Sequence, residues 1–74
     1  MDLIYCNKTL LVNIDEQVDC KIIRKLETRL DNILREYNIE NVEIALLNET
    51  NDEELFNTSI KMIKNRHHAN IYLK

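Results

Sequence analysis

The residues able to do chemistry fall into a few small groups. Cys6 and Cys20 are the only thiols. They lack the CxxC spacing of a metal or redox site and cannot form a disulfide framework. Free cysteine packs as a small hydrophobe, and that is the role expected for both. His67 and His68 are adjacent. Neighbouring side chains point to different sides in most backbones, and no third ligand lies nearby, so a metal site is not expected. A polar turn before a strand is the expected role. Asp15, Glu16 and Asp19 could gather a cation or divide acid and base roles. They surround a predicted helix start, where carboxylates accept the free amide protons of the first turn, so capping is expected instead. Ser59 has no motif around it and is given no nucleophilic role. Without glycine there is no Gly-rich phosphate loop. No nucleophile–base constellation emerges, so neither catalysis nor a cofactor is predicted.

A second group surrounds Thr50. The run Asn48-Glu49-Thr50-Asn51-Asp52-Glu53-Glu54 is a polar loop opening a helix. Thr50 with Glu53 fits a capping box, and Asn51 with Glu54 is an alternative. Asp52, Glu53 and Glu54 suit the positive end of the helix dipole. A phosphate on Thr50 would interact with the same dipole, and the three acids could imitate a phosphorylated loop. The plainer roles, a cap and an acidic first turn, are the expected ones.

The elements that must position these groups are read from periodicity. The central stretch runs from Gln17 to Leu46. Ile22, Ile23, Leu26, Leu30, Ile33, Leu34 and Tyr37 recur at the spacing of one helical face. Asp19 stands where it caps that helix, which is predicted within Val18 to Tyr37. The period then changes, because Val42, Ile44 and Leu46 alternate with Glu43 and Ala45 as in a half-buried strand. Before the helix, Leu3 to Cys6 and Leu10 to Ile14 read as a hairpin turning at Asn7 and Lys8. On the outer face of the helix, Asp31 and Arg35 can pair across one turn. After the central strand, Leu55, Phe56, Ser59, Ile60 and Ile63 form the inner face of a second helix, with Lys61, Lys64 and Arg66 toward its carboxyl end. Asn65 to His68 are predicted to turn the chain, and Ala69 to Leu73 to form a last strand.

The predicted order is β-β-α-β-α-β: a small α/β domain with a mixed four-stranded sheet and two helices, occupying residues 1–74 as one unit. Its crossovers should be right-handed and join parallel strands. Two helices on one face would leave the other face open, a natural place for a partner. The chain has 74 residues, a formal net charge of −3 and 45% hydrophobic residues. That suffices for one core and excludes a disordered chain. The acidic balance argues against nucleic-acid binding. No apolar run approaches the roughly 20 residues that span a bilayer. The start MDLIYCNK lacks the features of a signal peptide, so a cytoplasmic protein without membrane contact is expected. Glycine and proline are both absent. Asparagine is therefore expected at positions of positive φ.

From about Leu10 to Leu73 the chain resembles a STAS domain, the fold of the bacterial anti-sigma-factor antagonists. Gln17-Val18-Asp19 stands in place of the family's Gly-Glu-Leu-Asp type motif at the entry to the first helix. The ladder Leu26, Leu30, Leu34, Ile39, Val42, Ile44, Leu46 follows the family spacing. Ile60-Lys61-Met62-Ile63-Lys64-Asn65-Arg66 is similar to the family's Tyr-Lys-x-Ile-Lys-x-x segment, and His67-His68 falls where Gly-Gly is usual. The family's regulatory loop carries Asp-Ser-Ser-Gly with a phosphorylated serine, but Glu49-Thr50-Asn51-Asp52 stands here. The helix that usually follows the last strand is also missing from the chain. The resemblance implies a non-catalytic regulatory module without the serine switch, binding a regulatory protein such as an anti-sigma-type kinase, or a copy of itself. It places the contact on Thr50, Asn51, Glu54, Asn57, Thr58 and Lys61, with Leu55 or Phe56 as an apolar anchor. Because some STAS domains bind nucleotides, a small-ligand or nucleotide site is the alternative. The acidic loop Glu49 to Glu54 would repel phosphate.

Overall fold

Two residues, Asn7 and Lys8, reverse the chain between the first two strands, and both hold positive φ (54° and 63°). A two-residue hairpin turn of this kind matches the natural twist of the strands it joins. In the computed structural model, which describes residues 1–74, it connects β1 (Asp2–Cys6) to β2 (Thr9–Ile14). The remaining elements are α1 (Cys20–Glu36), β3 (Asn41–Leu46), α2 (Glu53–His67) and β4 (Asn70–Leu73). The sheet order is β1-β2-β3-β4, with β1 antiparallel to β2 and the other two pairings parallel. The predicted mixed four-stranded α/β architecture is therefore the observed one.

Alternation decides which side of the sheet is covered. Leu10, Val12 and Ile14 on β2, and Val42 and Ile44 on β3, are buried. They meet Ile23, Leu26 and Leu30 of α1 and Phe56 and Ile63 of α2 in a single core cluster. The two helices also pack against each other, so they share that side. The opposite face carries Leu11, Asn13, Glu43, Ala45 and Tyr72 and has no covering element, as expected for two helices on one side.

Asp19 caps α1, its side chain accepting from the Ile22 amide at 3.0 Å. Asp15 and Glu16, expected to share that role, instead hold the Met1 ammonium at 3.6 and 2.8 Å. The hydrogen bond to Glu16 raises that group's pKa above its ordinary value. Desolvation opposes the rise and the neighbouring carboxylate charges add to it. At the other end of α1, Tyr37 is not on the helical face. It is the extended C-cap residue and is exposed.

The second helix departs further from the sequence reading. Its cap is Asp52, which accepts from the Leu55 amide at 3.1 Å, and not Thr50 or Asn51. It also runs through Asn65, Arg66 and His67, which were expected to turn the chain. The turn is made by His68 alone, in the left-handed conformation at φ 56°. Lys8 and His68 thus occupy positive-φ sites where asparagine was expected. Extending α2 by that last turn has an energetic reason. It brings Arg66 and His67 onto Asp31 of α1, with His67 Nε2 2.7 Å from the carboxylate. Asp31 therefore bridges the helices instead of pairing with Arg35 along its own helix.

Two substitutions test this packing. Phe56 is almost fully buried, so Phe56→Ala should cost about 3–5 kcal/mol in chemical denaturation. Asp31→Ala should cost about 1–2 kcal/mol, because partial exposure weakens its pairs. Arg35→Ala should be close to neutral, and a larger loss there than at Asp31 would mean that Asp31 pairs within α1.

Candidate functional site

The segment between β3 and α2 is short and polar, so its order has to come from outside. Thr50 forms a parallel bridge with Val18, and the Asn51 amide donates to the Val18 carbonyl at 2.9 Å. Gln17 Nε2 donates to the Glu49 carbonyl at 2.7 Å and to Asn51 Oδ1 at 2.9 Å. Asn48 Nδ2 donates to the Asp15 carbonyl at 2.7 Å. The stretch before α1 is thus laced to the stretch before α2. This lacing fixes where α2 begins. With the Thr50 backbone held in the bridge and Asn51 tied to Val18 and Gln17, the first residue free to cap is Asp52.

Of the residues predicted for an interaction surface, Glu54, Asn57, Thr58 and Lys61 form one row on α2. Their spacings of three and four place them side by side, and all are exposed. Asn51 is exposed at the head of that row, with its side-chain carbonyl engaged by Gln17. Thr50 is different. It is half-buried and tied into the bridge to Val18, so it sits behind the row. The inner face of the helix carries Phe56, Ser59 and Ile63, all buried. Phe56 therefore belongs to the core and is not available as an anchor. Met62, one turn beyond Thr58, is 48% exposed and supplies the apolar side chain beside the row. Its place outside the Phe56–Ile63 stripe is the sequence signal for this exposure.

A concavity of about 470 Å³ opens at the carboxyl ends of β3 and β4. Leu46, Leu73 and Phe56 give it an apolar floor, and Glu49, Glu53 and Asn57 a polar rim, with Thr50 at one wall. Leu46 and Leu73 are strand-terminal residues, and periodicity alone could not reveal that they meet. Elsewhere, no three of the His, Cys, Asp and Glu side chains gather as they would around a metal ion. His67 and His68 are separated by the helix end, the first held by Asp31 and the second exposed at the cap. Cys6 and Cys20 are both exposed thiols, where buried or half-buried positions had been expected. No helix is long and apolar enough to cross a membrane.

No protein-family model matches the chain, and no match was found among curated proteins or solved structures. The class reached is accordingly structural: a one-sided, mixed four-stranded α/β domain.

The lacing by Gln17 is directly measurable. Gln17→Ala should speed amide hydrogen exchange in residues 49–51 while leaving α2 protected, because the loop's outside tether is lost. Unchanged exchange at the Asn51 amide would mean that the Val18 bridge alone orders the loop.

Proposed function

We propose that the chain is a non-catalytic interaction module of the anti-sigma-factor-antagonist kind, working without a serine phosphoswitch. On this reading it acts in the cytoplasm and receives a regulatory protein on the outer face of α2. The observation that carries the proposal is the row Glu54, Asn57, Thr58 and Lys61, exposed on a helix whose opposite face is locked into the core. Such a surface loses little conformational entropy on binding, because its backbone is already fixed. Acid at Glu54 and base at Lys61 bracket an amide and a hydroxyl, which favours a contact weakened by salt. Met62 adds an apolar anchor at its edge, the element that usually carries most of the energy in such an interface. The β-β-α-β-α-β order supports the same reading, since it is the arrangement that the STAS resemblance implies.

A small-ligand reading rests on the concavity at the strand ends. Ligands of α/β sheets bind at that end of the strands, but at a point where the strand order reverses. Here β2, β3 and β4 follow one another in one direction, so there is no reversal. Glu49 and Glu53 on the rim also disfavour a nucleotide's phosphates. The protein-interaction reading is preferred for both reasons.

Two measurements test it. Glu54→Lys and Asn57→Arg should weaken capture of the regulatory partner from native cytoplasm while circular dichroism stays unchanged. Retention of every partner by both variants would move the interface off α2. An anti-sigma-type serine kinase should leave residues 48–52 unmodified by mass spectrometry. Thr50 is half-buried and held by Val18, so stoichiometric phosphate on it would establish a working switch and overturn the phosphoswitch-free reading.

A further inference from the structure

The sheet has two free edges, the five-residue β1 and the four-residue β4. Where α2 turns into β4 lies a polar hollow lined by Lys64, Asn65, His68, Ala69 and Asn70. Beside the outer edge of β1 lies an apolar one of about 330 Å³, lined by Leu3, Tyr5, Leu10, Ile33, Tyr37 and Ile39. Tyr5 and Tyr37 are each more than half exposed there, at 54% and 58%. On the other side of the same strand, Ile4 is 51% exposed. From Leu3 to Cys6 the strand carries no charge and no proline. Natural proteins normally protect an edge strand with such residues, because its unpaired amides and carbonyls are a template for another strand.

The backbone of β1 fixes how that template can be used. In a two-residue hairpin the residues flanking the turn, Cys6 and Thr9, form a hydrogen-bonded pair. Antiparallel pairs alternate, so Ile4–Leu11 and Asp2–Asn13 are also bonded pairs. The amides and carbonyls of Leu3 and Tyr5 are then the ones turned to the free edge. A second β1 laid antiparallel, with Ile4 opposite Ile4, puts Leu3 of each copy opposite Tyr5 of the other. Every outward group within Leu3–Tyr5 finds a partner, and the whole strand is overlapped.

The side chains and charges agree with the same register. Leu3 and Tyr5 line the apolar hollow, so the two hollows join across the axis. The strand's one acid, Asp2, lies at the end opposite the first base, Lys8. Antiparallel pairing brings Asp2 of one copy toward Lys8 of the other, whereas parallel pairing would stack acid on acid. The surface is therefore complementary to itself. We propose that the outer edge of β1 pairs with the same edge of a second copy, antiparallel about a two-fold axis at Ile4, joining two four-stranded sheets into one. The interface is isologous and closes on itself. It lies across the sheet from β4, so the outer faces of both α2 helices stay free, and it does not depend on the function proposed for them.

Light scattering on the full chain across a concentration series tests this. The mass should approach twice 8.9 kDa. Ile4→Lys and Tyr5→Lys, both at exposed positions, should return it to the monomer value with an unchanged circular dichroism spectrum. A wild-type chain that stays monomeric throughout overturns the proposal, and so does a dimer that survives both substitutions. A dimer abolished by Glu54→Lys and not by Ile4→Lys overturns it in favour of association through α2. The register has its own test. In this pairing Asp2 faces Cys6 of the other copy as a non-bonded pair, with Cα atoms about 4.5 Å apart and within disulfide range. Asp2→Cys with Cys20→Ser, oxidised by glutathione disulfide, should give a covalent dimer that adding Cys6→Ser abolishes. Within one chain the two positions are roughly 13 Å apart along the strand and cannot bridge. Absence of the covalent dimer overturns the register.

Discussion

The parallel pairing of β2 with β3 is the contact on which the other parts depend. It aligns Leu10 with Val42 and Val12 with Ile44, so one continuous apolar surface forms across the middle of the sheet. A parallel pair cannot be closed by a tight turn. It needs a crossover, and α1 is both the crossover and the cover. Because side chains alternate along a strand, a slip of one residue in this register would turn β3 over relative to β2, sending Val42 and Ile44 to the open face and burying Glu43 and Ala45 beside Val12. The penalty makes the register nearly obligatory. Once β2 and β3 are set, the hairpin can add β1 only on the outside of β2, and α2 can return β4 only on the outside of β3. The sheet order follows with little freedom left.

How much of this is legible in the sequence depends on the range of the interaction responsible. The hairpin, α1, β3 and the inner face of α2 all follow from short-range periodicity, and the architecture follows from their order. The misplacements occur where a distant contact outweighs a local preference. Thr50 has the better capping-box spacing, yet its backbone is drawn into a bridge with Val18, thirty-two positions earlier in the chain. The cap then passes to Asp52. Asp31 has a partner of the right charge at Arg35, yet Arg66 and His67 on the neighbouring helix form the stronger arrangement, since it also stitches the two helices together. Keeping α2 helical through His67 then puts the left-handed residue at His68, a residue type that tolerates positive φ better than most.

The candidate surface follows the same division. The row Glu54, Asn57, Thr58 and Lys61 was legible because it is the complement of an apolar stripe, and helical geometry alone fixes such a complement. Thr50 joins it because the family resemblance implies a contact on the loop before the second helix, and its tether to Val18 separates it from the others. The concavities at the strand ends and beside β1 could not be read in advance. Each joins residues from elements that are distant in sequence, such as Leu46 with Leu73 and Tyr5 with Tyr37.

The exposed surfaces of so small a domain can be ranked by what it would cost to cover them. The open face of the sheet has apolar members at Ile4, Leu11 and Tyr72, but Glu43 stands in the same cross-strand row, between Leu11 and Tyr72. Its carboxylate lies 3.7 Å from the Lys74 ammonium at the sheet's end. A second layer over that face would have to bury this pair, and desolvating two charges opposes the gain from the apolar neighbours. Glu43 therefore does for the open face what no residue does for the β1 edge. The outer face of α2 is different again, because its groups are polar, exposed and held in place by a buried backbone, so a partner can use them without stripping water from an ion pair in the sheet. The positions of single charges, more than the distribution of apolar area, separate the surfaces this fold can use from the one it keeps in water.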